Sequence, residues 1–303
     1  MPTAYNKIQK RDGTILMDLT SDTVTPNSLV SGFTAHDRSG QPVVGSVVIS
    51  PIIYNNVESG LSGMFRGQSL GSGTSFANAS TTAQKTAISS GTFNDIFIGD
   101  YWTINGRVYR VADINYWLHI TDGNVDFTTN HLVIVPDAAM GTGSMNSTAT
   151  SLGGYSGSYM RSNNSGALNT AKSTIQSDFG NYLLTHRALI SSNSEDENGV
   201  RTSTVVWADS TVELMNEIMV FGHWFNKRVF TGVDLIKTDA QQQLSLFRVA
   251  HPYVNLGRYA YWLRDVASTT KFASVDATGL GADNNANDIL AVRPVFGIKG
   301  TTS

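Results

Sequence analysis

The side chains that could perform metal, nucleophilic or acid–base chemistry are dispersed along this sequence. Its histidines form no His-Glu-x-x-His pair and no other metal-ligand spacing. Cysteine is absent, which excludes disulfides and thiolate sites, and there is no Walker loop or Gly-x-Gly-x-x-Gly motif. We therefore expect no enzyme activity, cofactor or bound metal, and we expect structural or surface roles for the six histidines, His36, His119, His131, His186, His223 and His251.

Three acidic residues lie close enough in sequence to be compared with a hydrolase site. Ser210 and Glu213 have the spacing of a capping box, which predicts a helix through Leu214, Met215, Ile218 and Met219. Glu213 and Glu217 would then share one solvated face, beside Asp209. Helix capping is the favoured role. A catalytic carboxylate pair for glycan hydrolysis is the alternative, because the distance between the two carboxyl groups in space decides between them.

Two other acidic runs could attract a cation. Asp283–Asp288 is dense in oxygen ligands and is a candidate calcium loop, with an ordinary polar loop as the favoured interpretation. Glu195–Glu197 lacks the alternating ligands and central glycine of a calcium loop. We expect it to be a solvated loop tip.

The composition indicates a neutral, polar surface on a protein rich in strands and loops. The chain has 303 residues, of which 41% are hydrophobic and 15% charged, against about 25% charged in typical proteins. The net charge of −3 argues against nucleic-acid binding. No apolar leader and no apolar run of about 18 residues occurs, so we expect neither a signal peptide nor membrane insertion.

The C-terminal region has the pattern of a recognition surface on a stiff support. Two apolar, aromatic segments, Tyr259–Asp265 and Ala291–Ile298, bracket the polar segment Val266–Leu290. A rigid apolar frame that displays polar loops is a common arrangement for ligand binding. The candidate ligand-binding residues are Tyr259, Ser268, Thr269, Thr270, Lys271, Asp276, Thr278, Asp283, Asn284, Asn285 and Asn287.

Two arginines, Arg264 and Arg293, stand within the apolar segments. Because their neighbours are apolar, we expect them to close the domain by bonding to backbone carbonyls or to a buried acid such as Asp265. Recognition of an anionic ligand by an exposed pair is the alternative.

The C-terminal motifs carry a family resemblance. Trp262–Arg264, the small-residue strand Phe272–Asp276 and Val292–Phe296 together closely resemble the end of C-type-lectin-like domains in bacteriophage virion proteins, and some relatives are targets of diversity-generating retroelements. The resemblance continues upstream in Thr92–Gly106, His131–Pro136, Leu183–Arg187 and Asp209–Glu217.

The resemblance implies an α+β, C-type-lectin-like ligand-binding domain over residues 81–303, at the surface of the virion. The Glu-Pro-Asn and Trp-Asn-Asp motifs of sugar-binding C-type lectins are absent. Formylglycine-generating enzymes share the fold, but their chemistry needs cysteines that this chain lacks.

The N-terminal region predicts an attachment unit. Residues 1–50 contain β-branched strands and turn signals, and Gly32–Gly45 is similar to a short module of phage tail and fibre proteins that attaches a distal domain. Small β units rarely stand alone, so we expect contacts with other virion proteins and a homo-oligomer, with a trimer favoured. Residues 51–80 are rich in Gly and Ser and predict a connector. It is either a flexible linker or, because apolar residues such as Phe65 and Phe76 are interspersed, a partly docked segment.

Local signals predict the remaining elements. The helices expected are 81–90, one over Leu168–Ile175 capped by Gly180, and 240–249 capped by Asp239; the strands expected are 96–98, 101–104, 107–114, 116–120 and 131–135; a long loop is expected over 141–164. Asn105-Gly106 is the strongest hairpin signal in the chain.

The function expected is binding of a host surface molecule, protein or glycan, by a virion protein. A decoration or fibre protein with a purely structural role is the first alternative, and it predicts that residues 266–290 pack against other subunits. A cell-surface glycan hydrolase is the second, and it predicts two facing carboxylates in a cleft.

Overall fold

A computed structural model of the chain describes residues 5–29, 33–46, 65–120, 126–191, 205–225 and 242–301. They belong to two compact units, residues 1–52 and residues 53–303, and each is described by itself. The predicted loop tip Glu195–Glu197 and the predicted helix cap Asp239 lie outside the described residues.

The smaller unit contains two antiparallel β-hairpins. Its strands are β1 (Lys7–Gln9), β2 (Ile15–Asp18), β3 (Thr34–His36) and β4 (Pro42–Val44). A turn over Arg11–Thr14 joins β1 to β2, and Gly13 adopts φ 89° there. Val43 is the only buried hydrophobic side chain among the described residues of this unit.

The described part of the larger unit is an α+β structure with a six-stranded, a five-stranded and a two-stranded sheet and several helices. Its first elements are β5 (Ser69–Gly73), α1 (Phe76–Ala79), α2 (Thr82–Ser90), β6 (Tyr101–Ile104), β7 (Arg107–Ile114), β8 (Leu132–Pro136), β9 (Thr142–Gly143), α3 (Tyr159–Ser162) and α4 (Ala167–Phe179). The later ones are β10 (His186–Ser191), β11 (Val205–Ser210), β12 (Val212–Leu214), α5 (Glu217–Phe221), α6 (Ser245–Val249), β13 (Tyr261–Val266), β14 (Lys271–Val275), β15 (Gly281–Asn285), β16 (Leu290–Ala291) and β17 (Pro294–Ile298).

Six strands form the first sheet, in the order β12-β17-β8-β7-β6-β5, and five form the second, in the order β15-β14-β13-β16-β9. Strands β10 and β11 pair antiparallel in a separate two-stranded sheet. The two apolar C-terminal segments therefore enter different sheets, because β13 is central in the second and β17 is internal in the first. One continuous cluster of buried apolar side chains connects the sheets, with Ile134 and Phe296 from the first and Trp262 and Phe272 from the second.

Strong local signals are confirmed where they were predicted. Asn105 and Gly106 both have positive φ, at 49° and 77°, and join β6 to β7 as a tight hairpin. Thr81 and Gln84 form a capping box at the start of α2, and Gly91 ends that helix in the left-handed conformation. Helix α4 buries its predicted face and ends at Gly180.

Two predicted strands are turns instead. The stretches 96–98 and 116–120 are apolar and largely buried, but residues with positive φ interrupt the backbone at Asp95, Asn115 and His119. In the first stretch, the Asp100 carboxylate accepts a hydrogen bond from Phe97 N at 3.0 Å. Such local bonds replace a strand ladder, which the apolar pattern alone does not reveal.

The helix predicted from Ser210 is also wrong. Residues 212–214 form β12, which pairs antiparallel with β17, and the helix begins only at Glu217 after the N-cap Asn216. Pairing with a distant strand outweighs the local capping-box signal.

Three other boundaries differ from the predictions. The predicted connector 51–80 overlaps the folded body, since β5 is the edge strand of the six-stranded sheet and α1 follows it. The predicted loop 141–164 contains β9 and α3. Helix α6 begins at Ser245 instead of residue 240, and both Leu244 and Phe247 are buried.

His131 is buried within the larger unit with both ring nitrogens engaged. Its Nδ1 lies 2.8 Å from Thr129 O, and its Nε2 accepts the N–H of Trp117 at 3.1 Å. These partners fix the neutral tautomer with the proton on Nδ1. Burial lowers the pKa of His131 to about 4.

We therefore expect the free energy of unfolding to decrease as the pH falls from about 6.5 to about 4. The unfolded histidine gains a proton in this window and the folded His131 does not, which corresponds to about 3 kcal/mol. His131→Gln should remove this part of the slope. Burial raises the pKa of Asp113 to about 6, so Asp113 changes the pH dependence of stability in the opposite direction. This contribution is the same in the wild type and in the variant, so it cancels in the comparison. Urea unfolding across this pH range measures the difference, and equal slopes would contradict the assignment.

Candidate functional site

The carboxylates that suggested hydrolysis are enclosed. Glu213 is 3% exposed and accepts hydrogen bonds from Tyr155 Oη at 2.6 Å and Ser210 Oγ at 2.8 Å, and it forms an ion pair with Arg161 at 3.1 Å. Glu217 is also buried. The prediction that both lie on a solvated helix face is wrong, because β12 turns Glu213 into the core, where other polar groups neutralise it.

One further stretch has the spacing of a hydrolase nucleophile. Gly67–Gly71 reads Gly-Gln-Ser-Leu-Gly, which matches the Gly-x-Ser-x-Gly elbow. An elbow serine lies between the end of a strand and the start of a helix, whereas Ser69 begins β5. In the described part of the chain, no histidine is hydrogen-bonded to it. The geometry of a nucleophile elbow is therefore not formed.

The candidate calcium residues are engaged with protein partners. Asp283 Oδ1 lies 2.7 Å from Lys271 Nζ, and Asp288 Oδ2 accepts Asn285 N at 3.0 Å. Within the described ranges, no cluster of three or more His, Asp or Glu side chains is arranged to hold a metal ion.

Arg293 has the structural role expected of it. It is 1% exposed, its Nε donates to Pro136 O at 2.9 Å, and its Nη1 donates to Tyr253 O and Val254 O at 2.9 Å. One guanidinium thus ties β8 to the turn 251–255. Arg264 is buried on β13 as well.

The predicted ligand-binding residues are all at least partly exposed, but they do not form one face. Strands β13, β14 and β15 form an antiparallel meander, in which Lys271 pairs with Asn285 and Val275 pairs with Gly281. Successive turns of a meander lie at opposite ends, roughly 13 Å apart for strands of this length. The predicted residues are therefore divided between the two ends of the meander and do not share one face.

Strand β15 itself was predicted as loop. Asp283, Asn284 and Asn285 lie on this strand, which forms the edge of the five-stranded sheet. Asn284 accepts a hydrogen bond from the buried Ser274 at 2.8 Å, while Asp283 and Asn285 are exposed. A polar edge strand has no hydrophobic alternation to reveal it in the sequence.

At one end of the meander, three segments are bonded together. The carbonyl of Ser268 accepts Ser151 Oγ at 2.5 Å, and that of Thr269 accepts Ser151 N at 2.8 Å. Ala286 N donates to Thr270 O at 2.8 Å, and Ala286 O accepts Asn146 N at 2.8 Å. We call the exposed surface of residues 268–271, 285–289 and 146–159 the turn surface.

The turn surface also carries large apolar side chains that no sequence pattern indicated as exposed. Leu152 and Ile289 are each 73% exposed, and Tyr159 is 41% exposed. Tyr159 and Ile289 line a shallow groove of about 430 Å³ between β9 and the start of α4. Isolated apolar residues in polar loops gave no signal, because only the fold shows which of them stay uncovered.

At the opposite end of the meander lie Tyr259, Asp276 and Thr278. The side chain of Asn255 joins them, since its Nδ2 donates to Tyr259 O at 3.0 Å and to Asp276 O at 2.6 Å. Asp276 Oδ1 accepts the N–H of Thr278 at 2.7 Å and its hydroxyl at 2.6 Å. These hydrogen bonds stabilise the carboxylate of Asp276 and lower its pKa below the ordinary value. The carboxylate is therefore bonded to residues of its own turn.

No protein-family model, curated protein or solved structure matches this chain. The resemblance to C-type-lectin-like domains of phage virion proteins therefore depends on the motifs quoted above. Across the described ranges, no helix combines the length and the hydrophobicity that crossing a membrane requires.

Proposed function

We propose that this chain is a bacteriophage virion protein that binds a host surface molecule through the turn surface. The observation that carries the proposal is the combination of exposed Leu152, Tyr159 and Ile289 with the hydroxyl and amide groups of Thr269, Thr270 and Asn287 on one hydrogen-bonded support. Apolar anchors surrounded by adaptable polar groups are typical of binding surfaces.

The fold proposed for the larger unit is the C-type-lectin-like domain. The order of its motifs and its α+β architecture support this assignment. In that arrangement the buried Trp262 and Phe296 stiffen the frame beneath the turns, so little order is gained on binding and more of the interaction energy appears as affinity.

The smaller unit is proposed to attach the chain to the particle and to trimerise. With Val43 as its only buried hydrophobic side chain among the described residues, it gains little stability from its own core. Several copies displayed on the surface of one virion would bind a cell together, with avidity. The affinity of each single site can therefore be low.

Binding to cells tests this function. Fluorescently labelled protein is incubated with a panel of bacterial strains, and the bound fraction is measured by flow cytometry. We expect binding to some strains, and we expect the double variant Leu152→Ser, Ile289→Ser to weaken it at least about tenfold. Thr269→Ala, Thr270→Ala should weaken it less, and the matched control Thr82→Ala, Thr86→Ala on the exposed face of α2 should not change it.

A decoration protein is the second candidate, and the exposure of Leu152 and Ile289 is the observation in its favour, because another subunit could cover them. It predicts that no strain binds the protein, while particles that carry the same double variant dissociate more readily. A receptor-binding protein gives the opposite pair of results.

A further inference from the structure

The end of the meander opposite the turn surface contains a cleft that the proposed function does not use. Residues 251–258 form one wall and the turn 277–279 forms the other, around a volume of about 470 Å³. This size is within the range of small-ligand sites. Part of the lining is apolar, with Pro252, Val254 and Leu256.

Arg258, which is cationic, and His251 line the cleft, and both are exposed. In the described part of the chain, neither forms an ion pair, although most other arginines of this unit bond to carboxylates or carbonyls. Thr278 lies on the facing wall, where its hydroxyl donates to Asp276 Oδ1 at 2.6 Å and is therefore not a donor to the cleft. The neighbouring carboxylate, Asp276, is bonded within its own turn to Thr278 and Leu280.

The backbone that presents Arg258 is constrained. Arg258 has φ 50°, a left-handed conformation that non-glycine residues adopt at a cost. The preceding Gly257 allows this turn, because a Cβ there would lie 1.9 Å from the ring of Tyr259. The side chain of Asn255 joins this wall to the facing one, because it donates hydrogen bonds to both Tyr259 O and Asp276 O.

We propose that this cleft binds the anionic group of a small ligand, a carboxylate or phosphate carried on a sugar or polyol. Arg258 forms the principal hydrogen-bonded ion pair, His251 adds a second donor, and the apolar wall packs against the carbon skeleton of the ligand. The two walls are joined before binding, so the site is preformed. The assignment of the anion to a cell-surface polymer rests on the proposed function. The binding of an anion in the cleft does not depend on that function.

Titration of the full chain with glucuronate and with glycerol 3-phosphate tests the cleft, with glucose and glycerol as neutral controls. Backbone amide shifts of Thr278 and Gly279, measured by NMR, report binding. We expect saturable shifts with at least one anion, weaker binding at high salt, and none with the neutral probes. Arg258→Gln should weaken binding about tenfold, and Arg258→Lys should weaken it less. His251→Gln should give a smaller loss than Arg258→Gln.

Arg38→Gln makes the same charge change in the smaller unit and should leave the shifts unchanged. Absence of anion-dependent shifts in the folded wild-type protein would overturn the proposal, as would equal affinity of the Arg258→Gln variant. The cell-binding assay separates the two proposals. If a variant loses anion binding but still binds cells, the turn surface remains the proposed site of cell binding. If the protein binds anions but no cells, only the proposed function is contradicted.

Discussion

Arg293→Met should lower the free energy of unfolding by about 4 kcal/mol. The variant fills similar space, but it leaves the carbonyls of Pro136 and Tyr253 without this donor in a site that is 1% exposed, while Val254 O keeps its hydrogen bond from the Tyr261 hydroxyl at 2.8 Å. Each buried acceptor left unsatisfied costs about 1–3 kcal/mol. Urea unfolding followed by tryptophan fluorescence measures the change.

Two variants control for this result. Arg258→Met removes an exposed arginine and should change stability by less than about 0.5 kcal/mol. Arg293→Lys keeps the charge, but its single ammonium cannot match the fork that reaches three carbonyls, so an intermediate loss is expected. A loss below about 1 kcal/mol for Arg293→Met would show that β8 and the turn 251–255 do not depend on this guanidinium.

Glu213→Gln should cost about 3–4 kcal/mol. Burial alone would raise the pKa of Glu213, but Lys172, Arg161 and the hydroxyls of Tyr155 and Ser210 hold it below its ordinary value. The neutral amide would leave the charge of Arg161 without its partner and place an N–H₂ group against a hydroxyl donor.

The pH dependence of this effect has a defined sign. Because the folded pKa is depressed, the stability that Glu213 contributes is present above its unfolded pKa and is lost as the pH falls through the folded pKa. The difference between wild type and Glu213→Gln should therefore shrink in acid. Asp209→Asn is the matched control, since Asp209 is 75% exposed and its pair with Arg187 contributes little. A similar loss for both variants would contradict the buried network.

Sequence patterns predicted the elements whose signals are local. The Asn105-Gly106 hairpin, the capped helix α2 and the buried face of α4 each depend on residues within a few positions of one another. The apolar runs Tyr261–Leu263 in β13 and Val295–Phe296 in β17 also indicated extended structure, and the family resemblance implied β14.

Patterns failed where distant partners decide the structure. Glu213 is buried because β12 pairs with the distant strand β17, and Tyr155, 58 residues away in sequence, binds its carboxylate. No local pattern contains either partner. For the candidate site, the polar residues and their exposure were anticipated, but the meander separates Asp276 and Thr278 from Thr269 and Asn287. Leu152 and Ile289 were not anticipated, because their exposure depends on packing elsewhere.

Hydrogen exchange of backbone amides, with and without the envelope fraction of a bound bacterial strain, tests the central claim most directly. We predict that added envelope slows amide exchange in residues 268–271, 285–289 and 146–159, and that the exchange rates in helix α2 stay the same. Protection confined to other surfaces, or no protection at all at saturating envelope, would contradict the assignment of the turn surface as the site that binds the host.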